Sequence, residues 1–481
     1  MPGARPDATG GPAARTTRRG PHRRPASLRG LAPLRGLARA GALCAALAGC
    51  AASRPQPLAD RPALARSVAA LDRTRPHGPP IPADRPLTLA DVAVLAVSNS
   101  PDLRATRTQR GLARAQVFQA GLLPDPVLSG SYNVLIAGPA FANAIGATLT
   151  ADVAALIALS ARRRAARAAA DQTDAAVVWQ EWQTIARART LAIDLVEQGR
   201  LLRSLEGALD LLQRRAATSR RAVAEGNATL QSLAPDLAAL TSLRTQYDAA
   251  VLLQEQRWQS LDALLGLEPS VRPPLAADPQ VPAISPGAAT AMLADLSERR
   301  PDLVALRFGY QSQEASVRVA ILGQFPATTL GPNYGNDTSN VQSAGPAASV
   351  ALPVLNGNRG ALAIARATRD QLRAEYAARL AAAAGGAEAL LANLALEERQ
   401  LAGARAGLGA SRALAKGAGE ALRSGLIDEL SYVQLVVTRL EKERQVIGLE
   451  QQVLDERTAL ATLLGAGLPR LALPPPRDLG L

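Results

Sequence analysis

The chain is one unit written twice, and that duplication restricts its fold more than any single motif. Pro101-Asp102-Leu103 returns as Pro301-Asp302-Leu303, Gly121 and Pro124 return as Gly323 and Pro326, and Tyr132 returns as Tyr334. Gly226 has its counterpart in Gly425, and Leu264-Leu265-Gly266 in Leu463-Leu464-Gly465. Each step is 199 to 202 residues, and the order is unbroken. Chance tripeptide matches do not share an offset, so both halves must follow one supersecondary plan.

That plan is mostly helical. Proline is absent from Ala140 to Ala234 and again from Val354 to Leu468, where alanine, leucine, arginine and glutamate dominate. Proline inside a helix costs about 3 kcal/mol, so its exclusion is what long helices require. Leu195, Leu202 and Leu209 are seven apart, with Leu205 and Leu212 between them, the spacing of a coiled-coil seam. A helix from about Ala155 to Ala224 would reach about 105 Å. One glycine then interrupts each stretch, Gly226 in "AEGNATLQ" and Gly425 in "RSGLIDEL". Glycine supplies the left-handed residue that ends a helix, and Asn227 or Asp428 can start the next one. Two long antiparallel hairpins with tips near 226 and 425 are expected. Thr88-Leu89-Ala90-Asp91 reads as a capping box opening the first repeat.

Between the short and long helices of each repeat lie two extended runs, expected at 126–135, 145–154, 326–335 and 346–355. Leu128, Gly130, Tyr132 and Val134 alternate with Ser129, Ser131 and Asn133. Ala147, Leu149, Ala151 and Val153 alternate with Thr148, Thr150 and Asp152. The second repeat sets Leu330 and Tyr334 against Thr329 and Asn333, and Ala348, Val350, Leu352 and Val354 against Ser349. One apolar and one small polar face suit a transmembrane barrel, with lipid outside and water inside. Ser129, Ser131, Asn133, Thr148, Thr150 and Asp152 are then the lumen-facing candidates. Four strands cannot close a barrel, and open edges are not left in lipid. Three copies would supply twelve strands, so a homotrimer is expected. The alternative is a helical protein carrying two surface hairpins.

The N-terminal region points to the same place. Nine arginines and one acid precede the apolar run Ala40 to Ala48, followed by Leu47-Ala48-Gly49-Cys50. Basic region, apolar region and small residues are the order of an export signal. The tetrapeptide resembles the lipobox of bacterial lipoproteins, which makes Cys50 the expected lipidation site and residues 1–49 the signal peptide. The only other cysteine is Cys44, so nothing after Cys50 can form a disulfide or a thiolate metal site. The leader carries about +8 of the net charge of +13. With aromatics at 3%, a nucleic-acid partner is not expected. The proline-rich segment 50–86 reads as an extended tether.

From about Leu87 to Leu468 the chain resembles the TolC-like outer-membrane efflux proteins, in their lipoprotein branch. The resemblance rests on "LTLADVAVLAVSNSPDL", "GLLPDPVLSGSY", "ERRPDLVALRFGYQSQEASVRVAILGQFP" and "LPVLNGNRG", in that order and duplicated. It implies a trimeric tunnel: a twelve-stranded β-barrel in the outer membrane above a long α-barrel in the periplasm. The fold class is thus mainly α with a small β part. Repeats are expected at 87–268 and 289–468, with an equatorial linker at 269–288 and a tail at 469–481. A belt around Glu268 to Leu293 would girdle the middle. The resemblance further implies docking to a periplasmic adaptor and, through it, to an inner-membrane transporter of the RND type. The tips, Gly226, Asn227, Thr229 and Leu230 with Gly425, Leu426, Ile427, Asp428 and Glu429, would dock the adaptor and form the gate. Some family members close this end with aspartate rings six and nine residues after the second tip glycine. Here those positions are Ser431 and Gln434, leaving Asp428 and Glu429 as a substitute acidic collar or as simple helix caps.

Other classes fit less well. An enzyme needs a perturbed acid, base, nucleophile or metal in a pocket. After the leader the only histidine is His77, and no phosphate loop or metal-ligand cluster is present, so no catalytic residue, metal or cofactor is expected. A periplasmic adaptor would carry one hairpin between β-rich domains. The exit duct of a type I protein secretion system shares the architecture and stays open as an alternative. The cargo, metal ion or organic compound, is not written in the sequence.

Overall fold

The structure is a computed structural model and describes residues 55–75, 78–139 and 142–470. Cys50 and the expected leader lie outside the described residues, as does His77. The chain divides after Pro62, and every described helix and strand belongs to the unit from Ala63 onward.

In chain order the elements are α1 (Leu89–Asn99), α2 (Pro101–Ala120), β1 (Val127–Asn133), β2 (Ala144–Asp152), α3 (Val153–Ala224) and α4 (Leu230–Leu265). Then come α5 (Pro286–Ala294), α6 (Leu296–Arg299), α7 (Pro301–Leu322), β3 (Ala327–Asn336), β4 (Gln342–Ala351), α8 (Arg359–Arg423) and α9 (Glu429–Leu463). The repeated Pro-Asp-Leu is a helix start. Proline takes the first helical position of α2 and α7, aspartate sits in the first turn, and Leu103 and Leu303 are buried. The Thr88 capping box is formed on both sides.

α3 spans 72 residues and α8 spans 65, about 108 Å and 98 Å of helix. Leu202, Leu205, Leu209 and Leu212 of α3 pack against Leu243 and Ala250 of α4 and against Val433 and Leu440 of α9. In the second hairpin Leu394, Leu401 and Leu408 of α8 meet Val446, Val453 and Leu460 of α9, again at steps of seven. α8 is long and apolar enough to cross a membrane by composition, but its leucine seam is covered by α9. Pro235 lies inside α4, in its second turn. There it forfeits one hydrogen bond without ending the helix.

The four strands form one antiparallel sheet in the order β1-β2-β3-β4, so β2 and β3 join the two repeats. The fourth strand corrects the expectation of 346–355: it runs Gln342–Ala351. Its register is set by a tight turn in which Asp337 Oδ1 accepts from the backbone amides of Ser339 (2.8 Å) and Val341 (2.9 Å). This places Gln342 opposite Asn336 and leaves Leu352 and Val354 beyond the ladder.

The proline-rich segment is a second correction. Past Ala63 it is not a free tether but is docked on the helices. Leu71, Ile81 and Leu87 are buried with Val92, Leu95, Leu195, Leu261 and Leu267. Ala65 pairs in parallel with Leu267 and Leu87 with Leu275, so this segment and the linker after α4 bind each other through their backbones. Proline removes donors but does not stop isolated apolar side chains from burying, and each such burial contributes about 1.5–3 kcal/mol.

Candidate functional site

The sheet separates polar from apolar side chains over most of its area, with Thr328, Asn336 and Gln342 as polar residues on the apolar face. Ser129 faces Thr148, Thr148 faces Asn333, and Thr329 faces Ser349, all on one side. On the other side Leu128 faces Leu149, Tyr132 faces Ile145, and Ala147 faces Tyr334. Ser131, Asn133 and Thr150 join the polar side. Asp152 lies in the same register but serves as the N-cap of α3, its Oδ1 accepting from Ala155 N at 2.9 Å. The apolar side has no cover within the described chain: Leu128 is 74% exposed and Tyr132 62%. A contiguous exposed apolar face of this kind marks a membrane or protein contact. β1 and β4 each keep one unpaired edge.

The hairpin tips share one geometry. Gly226 and Gly425 have φ of 74° and 71°, the left-handed region a side chain would strain. Asn227 N donates to Ala222 O (2.8 Å) and Leu426 N to Ala421 O (2.9 Å), the Schellman closure that satisfies carbonyls at a helix end. The next helix starts at different residues in the two tips. Asp428 caps α9, its Oδ1 accepting from Ser431 N at 2.7 Å. In the first tip the cap is Thr229, not Asn227, with Thr229 Oγ1 accepting from Ser232 N at 3.2 Å. The Ser431 amide and hydroxyl hold the Asp428 carboxyl below its usual range, with a contribution from Arg215. Leu230 and Leu426 project at 74% and 79% exposure, and Glu429 is exposed, whereas Ile427 is half-buried.

Sequence reasoning missed the bracing behind the first tip. Arg215 Nε and Ser219 Oγ of α3 donate to the two oxygens of buried Asp236 on α4, at 2.7 and 2.5 Å. Arg215 therefore ties the first hairpin together while its charge also reaches Asp428 in the second. The i,i+4 spacing of Arg215 and Ser219 carries no signal in so arginine-rich a chain.

We expect Asp428→Ala to speed amide exchange in the first turn of α9 roughly fivefold, by loss of the cap, while Asp428→Asn stays near wild type. Hydrogen exchange read by mass spectrometry checks this. Equal exchange in all three proteins would mean that Asp428 does not start the helix.

A family model described as outer membrane efflux protein matches residues 292–466. That segment is similar to the family. The outer membrane efflux protein segment so defined covers α7, both strands of the second repeat and the hairpin of α8 and α9. Over 79% to 88% of the chain the fold is shared with solved outer-membrane channels. CmeC of Campylobacter jejuni aligns with a TM-score of 0.66 at 17% identity, over 87% of this chain and 94% of that one. VceC of Vibrio cholerae aligns at 0.64 and 18% identity, over 79% and 97%. MtrE of Neisseria gonorrhoeae, solved in its open state, aligns at 0.62 and 17% identity, over 88% and 99%. No curated protein matches the sequence significantly.

Proposed function

We propose that this chain is the outer-membrane exit duct of a tripartite efflux pump. The observation that carries the reading is the four-stranded sheet, with one mainly polar face, one uncovered apolar face and two unpaired edges, in a chain whose residues 292–466 match an efflux-protein family model. A sheet of this kind is stable in lipid only when its edges are paired. Three copies arranged edge to edge make a twelve-stranded barrel with Ser129, Ser131, Asn133, Thr148 and Thr150 toward water. The long hairpins then line a periplasmic tunnel. Their tips, Gly226 to Leu230 and Gly425 to Glu429, meet a periplasmic adaptor that bridges to an inner-membrane transporter of the RND type. The exposed leucines 230 and 426 give the adaptor apolar anchors. Small toxic compounds or metal ions are the cargo class, and no chemistry is performed on them. Cys50 carries the acyl chains, each buried CH2 contributing about 0.8 kcal/mol to membrane attachment.

Native mass spectrometry of the full chain, extracted from the outer membrane in mild detergent, tests this. A lipidated homotrimer is expected. A monomer in the periplasmic fraction would leave the sheet edges unpaired and remove the barrel. Cys50→Ala should lose the acyl mass yet still yield outer-membrane trimer, because the barrel itself holds the membrane.

A further inference from the structure

Midway along the bundle of α3, α4, α8 and α9, a few half-buried carboxyls lack the ion pairs of their neighbours. Arg257 of α4 is paired with Asp194 of α3 at 3.5 Å. Arg200 of α3 bridges Glu197 at 2.6 Å and Glu450 of α9 at 2.7 Å, and Arg405 of α8 holds the other Glu450 oxygen at 2.7 Å. Arg457 of α9 holds Glu398 of α8 at 2.6 Å. Each of these guanidinium groups is paired with a carboxylate, although Arg457 Nε is itself buried without a partner. Three half-buried carboxyls remain without a cation among the described ion pairs: Asp455 and Glu456 of α9, and Glu397 of α8. Each of the three also has a buried oxygen that receives no hydrogen bond, namely Asp455 Oδ1, Glu456 Oε2 and Glu397 Oε2.

Asp455 and Glu456 are consecutive, so their side chains leave α9 about 100° apart and meet different neighbours. Asp455 turns toward Asp194 and Glu197 of α3, with Arg257 of α4 and Gln451 of its own helix alongside. The Gln451 amide donates to Asp194 Oδ1 at 2.5 Å, and Arg257 gives its second bond to Gln198 Oε1 at 2.9 Å. Glu456 lies against Glu397 of α8. Both contacts bring two carboxyls together, with one or no cation nearby. A carboxylate disfavours the ionisation of a neighbouring one, and a buried oxygen left without a donor costs about 1–3 kcal/mol. One proton in each pair removes both penalties, since a protonated carboxyl donates to its neighbour.

We propose that α9 is clamped by two protons, one shared between Asp455 and Asp194 of α3 and one between Glu456 and Glu397 of α8, so that raising the pH releases α9 from both helices at once. The chemistry of the groups agrees. Burial, then the Asp194 charge, pushes the Asp455 carboxyl up to about 7. Burial and Glu397 likewise raise Glu456, and burial raises Asp194 despite Arg257. Protons bound more tightly in the packed state stabilise it at low pH, and that contribution is lost as pH rises from the ordinary carboxylate range through about 7. The clamp belongs to one chain and stands whether or not the duct reading holds. Where the duct reading also holds, α9 carries the second tip, and the two protons restrain its swing.

Hydrogen exchange of the full-length detergent-solubilised protein tests it, with rates around Leu454 to Arg457 divided by those of an unstructured peptide at each pH. The opening of α9 should rise about tenfold per pH unit as the Asp455 proton is released between about pH 5 and pH 7, and more steeply where the Glu456 proton leaves too. The Asp455→Asn, Glu456→Gln double variant keeps neutral donors in both pairs and should open with no pH slope over that range. The infrared band of protonated carboxyls lost between about pH 5 and pH 8 in wild type should be reduced in either single variant. The last readout needs no variant to begin with: wild type alone must show the band. A wild-type opening rate independent of pH, an unreduced slope in the double variant, or no protonated-carboxyl band at pH 5 would each overturn the clamp.

Discussion

On the duct reading, Gly331→Val will remove the folded protein from the outer membrane, while Gly345→Val on the neighbouring strand will leave it there. Both glycines lie in the same sheet, Gly331 on β3 and Gly345 on β4, opposite Ala347 and Asn333. Their surroundings differ. A Cβ at Gly331 would overlap the Leu149 carbonyl of β2, whereas one at Gly345 meets nothing within 4 Å. The obstacle is backbone, which cannot rotate aside as a side chain can. Pro332 follows, with no amide to donate, and the β2–β3 ladder is interrupted there, between the Thr148–Asn333 and Ala151–Leu330 pairs. The two repeats are therefore joined at a place that already lacks hydrogen bonds and tolerates close approach only because residue 331 has no side chain. Adding three carbons forces the strands apart at a cost of about 3 kcal/mol or more. That is enough to lose the sheet on which any barrel depends. The yield of heat-modifiable, protease-resistant protein in outer-membrane fractions checks this. Equal yields from the two variants would mean that β2 and β3 do not approach as closely as the structure has them.

Residues differ in how much of their role a sequence discloses. The tip glycines, the capping box and the Pro-Asp-Leu helix starts are legible because each meets a backbone demand local to a few residues. The leucines at steps of seven are legible because period alone selects a buried face. The separation of serines and threonines from leucines and tyrosines is legible because strands alternate. By contrast, Leu71 and Ile81 sit among prolines, and only the distant α1 and α4 make them core residues. The shift of β4 to Gln342–Ala351 comes from the Asp337 turn, which a run of polar residues conceals. Asn227 is by type as fit to cap as Asp428, but the Schellman closure occupies its amide and moves the cap to Thr229. The Arg215–Asp236 brace and the Asp455 and Glu456 pairs join helices distant in sequence, and no spacing announces them.

The largest loss expected from a single change outside the sheet is at Asp91. Its carboxylate is fully buried, at 0% exposure, yet it is charged and completely engaged. Oδ2 accepts from Thr88 N at 3.0 Å and from Thr88 Oγ1 at 2.7 Å, and lies 2.9 Å from Arg85 Nη2, while Oδ1 takes Arg75. Burial by itself would raise this carboxyl. The Thr88 hydroxyl and amide, then Arg75 and Arg85, outweigh it and hold Asp91 below the usual carboxylate range. Both arginines come from the proline-rich segment, so one acid starts α1 and anchors the chain that precedes it. Asp91→Ala removes the return arm of the capping box and two charge-assisted bonds, while Arg75 and Arg85, 30% and 39% exposed, turn to water, a loss of about 1.5–3 kcal/mol. Arg85→Ala alone should cost less, because Arg75 and Thr88 still satisfy the carboxylate. The sign of the pH effect follows from the lowered value. Asp91 stabilises the fold above the ordinary aspartate pKa of about 3.9, and that stability is lost as pH falls below it. This is opposite in direction to the α9 clamp, which weakens as pH rises. Melting curves of the purified protein at about pH 7 and pH 3 separate the two. The stability advantage of wild type over Asp91→Ala should be larger at pH 7 than at pH 3, because the clamp contributes equally to both proteins. An Asp91→Ala protein that melts like wild type at pH 7 would mean that the proline-rich segment is not anchored there.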